Sequence, residues 1–363
     1  MIETPSLVDQ HCHGVLRTEL GLGTFEAHLG RGEGPPAPGT TFFDTQTGFA
    51  VRRWCPPLLG LEPHCPPARY LARRRELGVL ESGRRLLRGS GITTYLVDTG
   101  LPGDLTGPGE LATTGAADAH EIVRLELLAE QVADTSGTVD SFLANLAESV
   151  HGAAAGAVAF TSVAGGRQDD PLPPEPPGPG EVRGAAGRWL AGRQVGGELA
   201  DPVLLRHLLW IAVASGLPLQ LHTGATDPQR FFGGFARATA GLGTDLVLLH
   251  GYPHHRAAAH LAGVFPHVYA DLGPALVRTG ARAAAVLAEI LELAPFGKLL
   301  FSSGAQGLPE LHVVGAQLFR ESLGRVLGTW VAEGAWSLAD AQRVAGMIAA
   351  GNARRVYGLT GAG

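Results

Sequence analysis

The chain has 363 residues, of which 45% are hydrophobic and 17% charged, and a formal net charge of −6 at pH 7. That much apolar material supplies a large core and excludes intrinsic disorder. The modest negative charge, with no dense Lys/Arg run among aromatic residues, excludes a nucleic-acid partner. No stretch approaches the roughly 18 uninterrupted apolar residues of a membrane span.

The N-terminal residues lack a basic start followed by an apolar run, so no secretory signal is expected. Cys12, Cys55 and Cys65 are an odd set without framework spacing, which fits a reducing cytoplasm. The first strand is expected over 7–13, in Val8-Asp9-Gln10-His11-Cys12-His13. Strand period two places Asp9, His11 and His13 on one face, with Gln10 and Cys12 on the other. Two imidazoles meeting at a strand end suit a divalent metal.

A long connection follows, roughly 14–89, which is expected to carry extra structure or a lid. Within it, the spacing predicts a helix over 68–87 whose arginine clusters, Arg73–Arg75 and Arg84–Arg85, face solvent. Arg52 and Trp54 are substrate-binding candidates there, since an arginine on a lid can hold a carboxylate through two parallel hydrogen bonds. The alternative is a surface arginine pair with Trp54 packed beneath. Cys55 and Cys65 flank prolines and read as packing residues.

Further strands are expected over 92–98, 121–126, 157–163, 218–222, 246–250, 268–271 and 298–303. Helices are expected over 139–151, 202–215, 228–240, 256–264 and 281–293. The segment 169–184 reads as a proline-rich surface loop, because its first dozen residues suit neither a helix nor a central strand. Eight strands alternating with helices predict an α/β fold, a (β/α)8 TIM barrel forming one domain over 1–363. A closing helix over 337–351 shows an apolar face of Leu338, Ala341, Val344, Ala345 and Ile348. That face packs on the barrel or on a second copy in a homo-oligomer.

In such a barrel the chemistry sits at the C-terminal strand ends. His222 and His250 each close a short apolar run and precede a loop containing glycine. One strand-end histidine carries little information, but a first-strand HxH with two more at the fifth and sixth strand ends does. His254, His255 and His260 fall in or beside a helix start. His28, His64, His120, His151, His207, His267 and His312 are read as lacking a converging partner.

The pattern resembles the amidohydrolase superfamily, in its amidohydrolase 2, FluG-type branch found alone or fused to glutamine synthetase-like domains. The resemblance rests on Val8–His13, Arg52-Arg53-Trp54, Leu96-Val97-Asp98-Thr99-Gly100 and Leu219–Gly224. It continues through Leu248–Arg256, Val268–Gly273, Leu300–Ser303, Gly307–Leu311 and Asn352–Gly358. It implies His11, His13 and His222 as metal ligands and His250 as a further ligand or carbonyl polariser. It also implies one divalent ion per chain, zinc by preference, and hydrolysis of C–N bonds by metal-activated water. Two positions depart from the family pattern. Thr161 stands where the fourth strand often carries a metal-bridging Lys, and Gly304 stands where the eighth strand supplies an Asp that accepts the water proton. Asp98 and Asp271, each closing a strand, are therefore the catalytic replacements expected. Glu126 closes the third strand in this reading, and Asp227 and Glu310 lie in loops as substrate-binding or weaker base candidates.

The function expected is a metal-dependent hydrolase of a small, carboxylate-bearing amide. The competing expectations are a catalytically impaired binding or regulatory barrel and a mononuclear metal-dependent decarboxylase.

Overall fold

The structure is a computed structural model that describes every residue except Met1, Pro5, 31–33, Pro35 and 361–363. Eight parallel strands follow one another in chain order: β1 (Leu7–Cys12), β2 (Ile92–Asp98), β3 (Asp118–Arg124), β4 (Ala159–Ser162), β5 (Leu219–His222), β6 (Leu246–Leu249), β7 (Val268–Asp271) and β8 (Leu299–Leu300). The residues just beyond β8 close the ring against β1. Gln10 N donates to Phe301 O at 3.1 Å, Gly304 N to His11 O at 3.1 Å, and His13 N to Ala305 O at 2.8 Å. Short strands rich in Leu and Val, buried on both faces, are what a parallel barrel wrapped in helices requires.

Two apolar layers result. Leu7, Tyr95, Phe160, Leu221 and Leu248 face the surrounding helices, while Val8, Leu96, Ile122, Val247, Leu249 and Leu300 fill the barrel interior. The interior is plugged from its N-terminal end by the end of the chain, through Ala350, Ala353, Val356 and Tyr357. Asn352 fastens this plug, its Nδ2 donating to Phe296 O and Leu299 O at 2.8 Å each. The closing helix buries Ala341, Val344, Ala345 and Ile348 against its own chain and leaves only Leu338 of the expected face exposed. Among the described residues, no helix is long and apolar enough to cross a membrane.

The first connection holds three helices, Leu22–Gly30, Gln46–Leu58 and Pro67–Ser90, and part of it lies outside the described residues. The sequence reading is corrected at three places. The third strand starts at Asp118 and ends at Arg124, so Glu126 lies in the first turn of the next helix (Leu125–Thr135) instead of closing the strand. There Glu126 accepts from Ser162 Oγ at 2.5 Å and Val163 N at 3.0 Å. The proline-rich segment yields to a helix, Pro179–Gly192, at its end, with Pro179 in the first turn, where a missing N–H costs nothing.

The third correction concerns β1. Asp9 pairs with Tyr95 but Cys12 with Val97, so three steps on β1 match two on β2. This bulge breaks the alternation. Asp9 therefore faces the helix layer, where it accepts from Ser303 N at 2.8 Å and Ser303 Oγ at 2.5 Å. Gln10 faces inward with His11, and Cys12 faces outward as expected.

Candidate metal centre

Each histidine reaches the barrel mouth by a different device. His11 lies in the bulged β1 and His13 just past its end, and His222 is the last residue of β5. The sixth strand stops at Leu249, whose side chain is interior, so simple alternation would send His250 outward. His250 adopts φ 61°, a left-handed conformation uncommon outside glycine, which re-aims its ring over the mouth. The ring centroids of His11 lie 5.1, 4.9 and 5.4 Å from those of His13, His222 and His250.

The donor atoms suit a divalent cation. His11, His222 and His250 each bring one ring nitrogen within 4.8 Å of the others, and so do His11, His13 and one oxygen of Asp98. The buried Nε2 atoms of His11 and His222 have no hydrogen-bond partner among the described residues. His13 offers Nδ1 to Asp98 O at 3.0 Å, an acceptor-only group, so Nδ1 carries the proton and the lone pair is left on Nε2. Burial pushes His13 down to about 3 against the pull of Asp98, and burial with His250 and His11 nearby holds His222 well below its ordinary value. Both rings are thus neutral near pH 7, as metal ligands must be.

Asp98 is the carboxylate at this cluster. Its Oδ2 lies 3.9 Å from His13 Nδ1 and 4.0 Å from His222 Nε2. Arg124, the last residue of β3, donates to the same oxygen at 2.5 Å and to Gly100 O at 3.0 Å. A side chain at Gly100 would fall 2.5 Å from Arg124 Cβ, so glycine there permits the contact. Burial opposes ionisation of Asp98, but His13, Arg124, His11 and His222 outweigh it and hold the carboxyl far below its usual range. So weak a base is a charge partner or ligand more than a proton acceptor.

Above the cluster lies a cavity of about 530 Å³, walled by His13, His222, His250, Arg124, Arg278, His28, Gln306 and Gly304 among others. Among the described residues, none that lines it is acidic. His28, from the first connection, corrects its reading as a histidine without converging partners. His312 needs the same correction, since it lies 3.5 Å from Asp9 Oδ2 behind β1. Nothing along the sequence marks Arg124, Arg278 and Gln306, which only their position in the fold brings to the cavity.

Other expected site residues fall elsewhere. Asp271 is buried one layer deeper, its Oδ1 accepting from Gln10 Nε2 and Gly273 N. Asp227 caps the helix Pro228–Ala238 through Gln229 N, an exposed structural role. Glu310 is fully buried against Tyr70 and Arg74 in the helix layer. Arg52 lies over the Phe49 ring and 4.0 Å from Asp44, and Trp54 stacks beneath Arg53. None of these five is among the residues lining the histidine cavity. Thr161 is buried at the end of β4, within 3.4 Å of Gln220 O.

Gly304 has φ 56°, and an added Cβ would stand 2.6 Å from Pro274 Cγ and 3.5 Å from His250 Cε1. The backbone is thus built to carry no side chain here. Gly304→Asp is expected to cost about 1–3 kcal/mol in denaturant unfolding without raising turnover. An unfolding midpoint equal to wild type would contradict the strain.

A family model for amidohydrolases matches residues 112–359. Protein fluG of Emericella nidulans is 34% identical over 153 residues, 39% of this chain and 17% of fluG, so the match spans under a fifth of that relative. Among solved structures, an inferred metal-dependent hydrolase from Lactobacillus casei aligns with TM-score 0.83 at 23% identity, over 98% of this chain and 96% of that one. A uronate isomerase from Thermotoga maritima aligns with TM-score 0.64 at 14% identity, over 97% and 94%. At such identities these two establish a shared barrel fold.

Proposed function

We propose that the protein, whose chain belongs to the amidohydrolase family, is a hydrolase with one divalent metal, zinc by preference, that cleaves an amide-type C–N bond in a small anionic substrate. The observation that carries this reading is the meeting of His11, His13, His222, His250 and Asp98 beneath one cavity. His11, His13 and His222 would hold the ion, with Asp98 balancing its charge. A metal there lowers the pKa of water and polarises a carbonyl.

The protein's own groups supply the rest. His250, on the cavity wall, would donate to a carbonyl oxygen. Arg124 is committed to Asp98, whereas Arg278 is exposed at the cavity and, among the described residues, makes only a 3.5 Å contact to Tyr252 O. With no acid among the described lining residues, Arg278 and His28 favour a carboxylate on the substrate.

The test is turnover of zinc-loaded protein on a panel of N-acyl amino acids, uronates and aromatic acids. Amine release supports the proposal. Ketose or carbon dioxide formation without amine release would replace it with an isomerase or decarboxylase, and metal binding without turnover on any class would favour a binding barrel. For the substrate that is turned over, Arg278→Met is expected to raise KM about tenfold with little change in kcat. A fall in kcat at constant KM would remove Arg278 from carboxylate binding.

A further inference from the structure

Beneath the histidines, the barrel interior holds a polar chain that the proposed reaction does not itself use. His11 Nδ1 lies 2.7 Å from Gln220 Oε1. Gln220 Nε2 reaches Gln10 O at 2.8 Å, Gln10 Oε1 at 3.0 Å and Tyr357 Oη at 2.8 Å. Tyr357 Oη donates to Gln10 Oε1 at 2.6 Å, and Gln10 Nε2 donates to Asp271 Oδ1 at 3.1 Å. His11, Gln10, Gln220, Asp271 and Tyr357 are all buried.

The orientation of Gln220 and His11 follows from one fixed point. The backbone oxygen of Gln10 can only accept, so the amide of Gln220 must turn its NH2 toward it. Gln220 Oε1 then faces His11, and it too can only accept. His11 must therefore carry its proton on Nδ1, which leaves the lone pair on Nε2, the atom turned to the other histidines. Gln10 is locked in the same way, its NH2 spent on Asp271 and its oxygen on Tyr357 and Gln220. Tyr357 is the last link, and it arrives from the chain end that plugs the far mouth of the barrel.

We propose that Gln220 and Tyr357 are positioning residues that fix the Nδ1–H tautomer of His11 and thereby aim its Nε2 at the metal centre. The effect on metal binding rests on the reading of His11 as a ligand; the tautomer does not. Losing the outer partner of a metal-ligating histidine lowers metal affinity by roughly 10–100-fold.

The experiment uses full-length protein with 15N-labelled histidine, first metal-free at pH 8, with the His11 signals assigned by comparison with His11→Asn. Wild type is expected to show the Nδ1–H form. Gln220→Leu is expected to shift His11 toward the Nε2–H form, and Tyr357→Phe to do so in part. Gln220→Glu, which keeps an acceptor for Nδ1, is expected to return the wild-type tautomer. Zinc affinity by chelator competition should then fall roughly 10–100-fold in Gln220→Leu and by less in Tyr357→Phe. An Nε2–H wild type, or a tautomer unmoved in both variants, overturns the proposal. A shifted tautomer with unchanged zinc affinity overturns its second half. If wild type takes up no zinc, the hydrolase reading falls, while the tautomer measurement still decides the role of Gln220 and Tyr357.

Discussion

His11→Ala/His13→Ala is expected to purify without metal, where wild type carries about one zinc-like ion per chain by elemental mass spectrometry, and to lose at least about 10³-fold in kcat/KM. The size follows from the donor set. His11 belongs to both groups of converging donors, so its loss breaks the triad with His222 and His250 as well as the one with His13 and Asp98. His13→Ala additionally opens the floor of the cavity. The remaining Asp98, already engaged by Arg124, cannot compensate. His250→Asn separates the two roles open to that residue. Full metal content with reduced kcat makes it the carbonyl polariser, and lost metal makes it a ligand. Wild type that stays metal-free after reconstitution with zinc, manganese or nickel would end the hydrolase proposal altogether.

His222 and His250 could be read from the sequence because each ends a short, mainly apolar run of the kind a buried parallel strand presents, and His11 and His13 because of their HxH spacing. β2 and β7 fall where the spacing places them, and the His222 and His250 ends hold to within one residue. What alternation could not show is where a strand departs from alternation. The extra residue in β1 sends Asp9 outward and Gln10 inward, and nothing in Val8–His13 announces it. The left-handed turn at His250 is equally silent, and the strand ends one position before that residue. Arg124, Arg278 and His28 are unremarkable along the chain, because only barrel closure and docking of the first connection bring them to one cavity. Gln220 did leave a signal. A glutamine two positions before His222 on the same strand face, inside an apolar run, must find partners in the interior, and pairing it with Gln10 and Tyr357 needed the fold.

The first connection supplies His28 to the cavity wall, and a buried ion pair in the helix layer helps hold that connection in place. Arg74 Nε donates to Glu310 Oε1 at 2.9 Å, Tyr70 Oη donates to the same oxygen at 2.9 Å, and a second Arg74 nitrogen lies 3.2 Å from Glu19. Arg74, expected to face solvent with its neighbours, is buried instead: its side chain and that of Glu310 are 3% and 0% exposed, so neither charge can turn to water if its partner is removed. Glu310 sits in the first turn of the helix Pro309–Ala332, where the helix dipole favours its charge, and this offsets only part of such a loss. Arg74→Met is accordingly expected to destabilise by about 3–5 kcal/mol in denaturant unfolding. Adding Glu310→Leu should restore most of that loss, because the cost lies in the orphaned carboxylate more than in the missing attraction. The Arg74 guanidinium also lies 5.8 Å from the Phe25 ring, three residues before His28, and Phe25 in turn contacts Tyr70 and Phe43. The single variant should therefore also raise KM, by loosening the helix Leu22–Gly30, before it unfolds the barrel. A loss under about 1 kcal/mol, or a double variant no more stable than Arg74→Met, would show that packing of Tyr70 and Phe25, and not the ion pair, fastens the connection to the barrel.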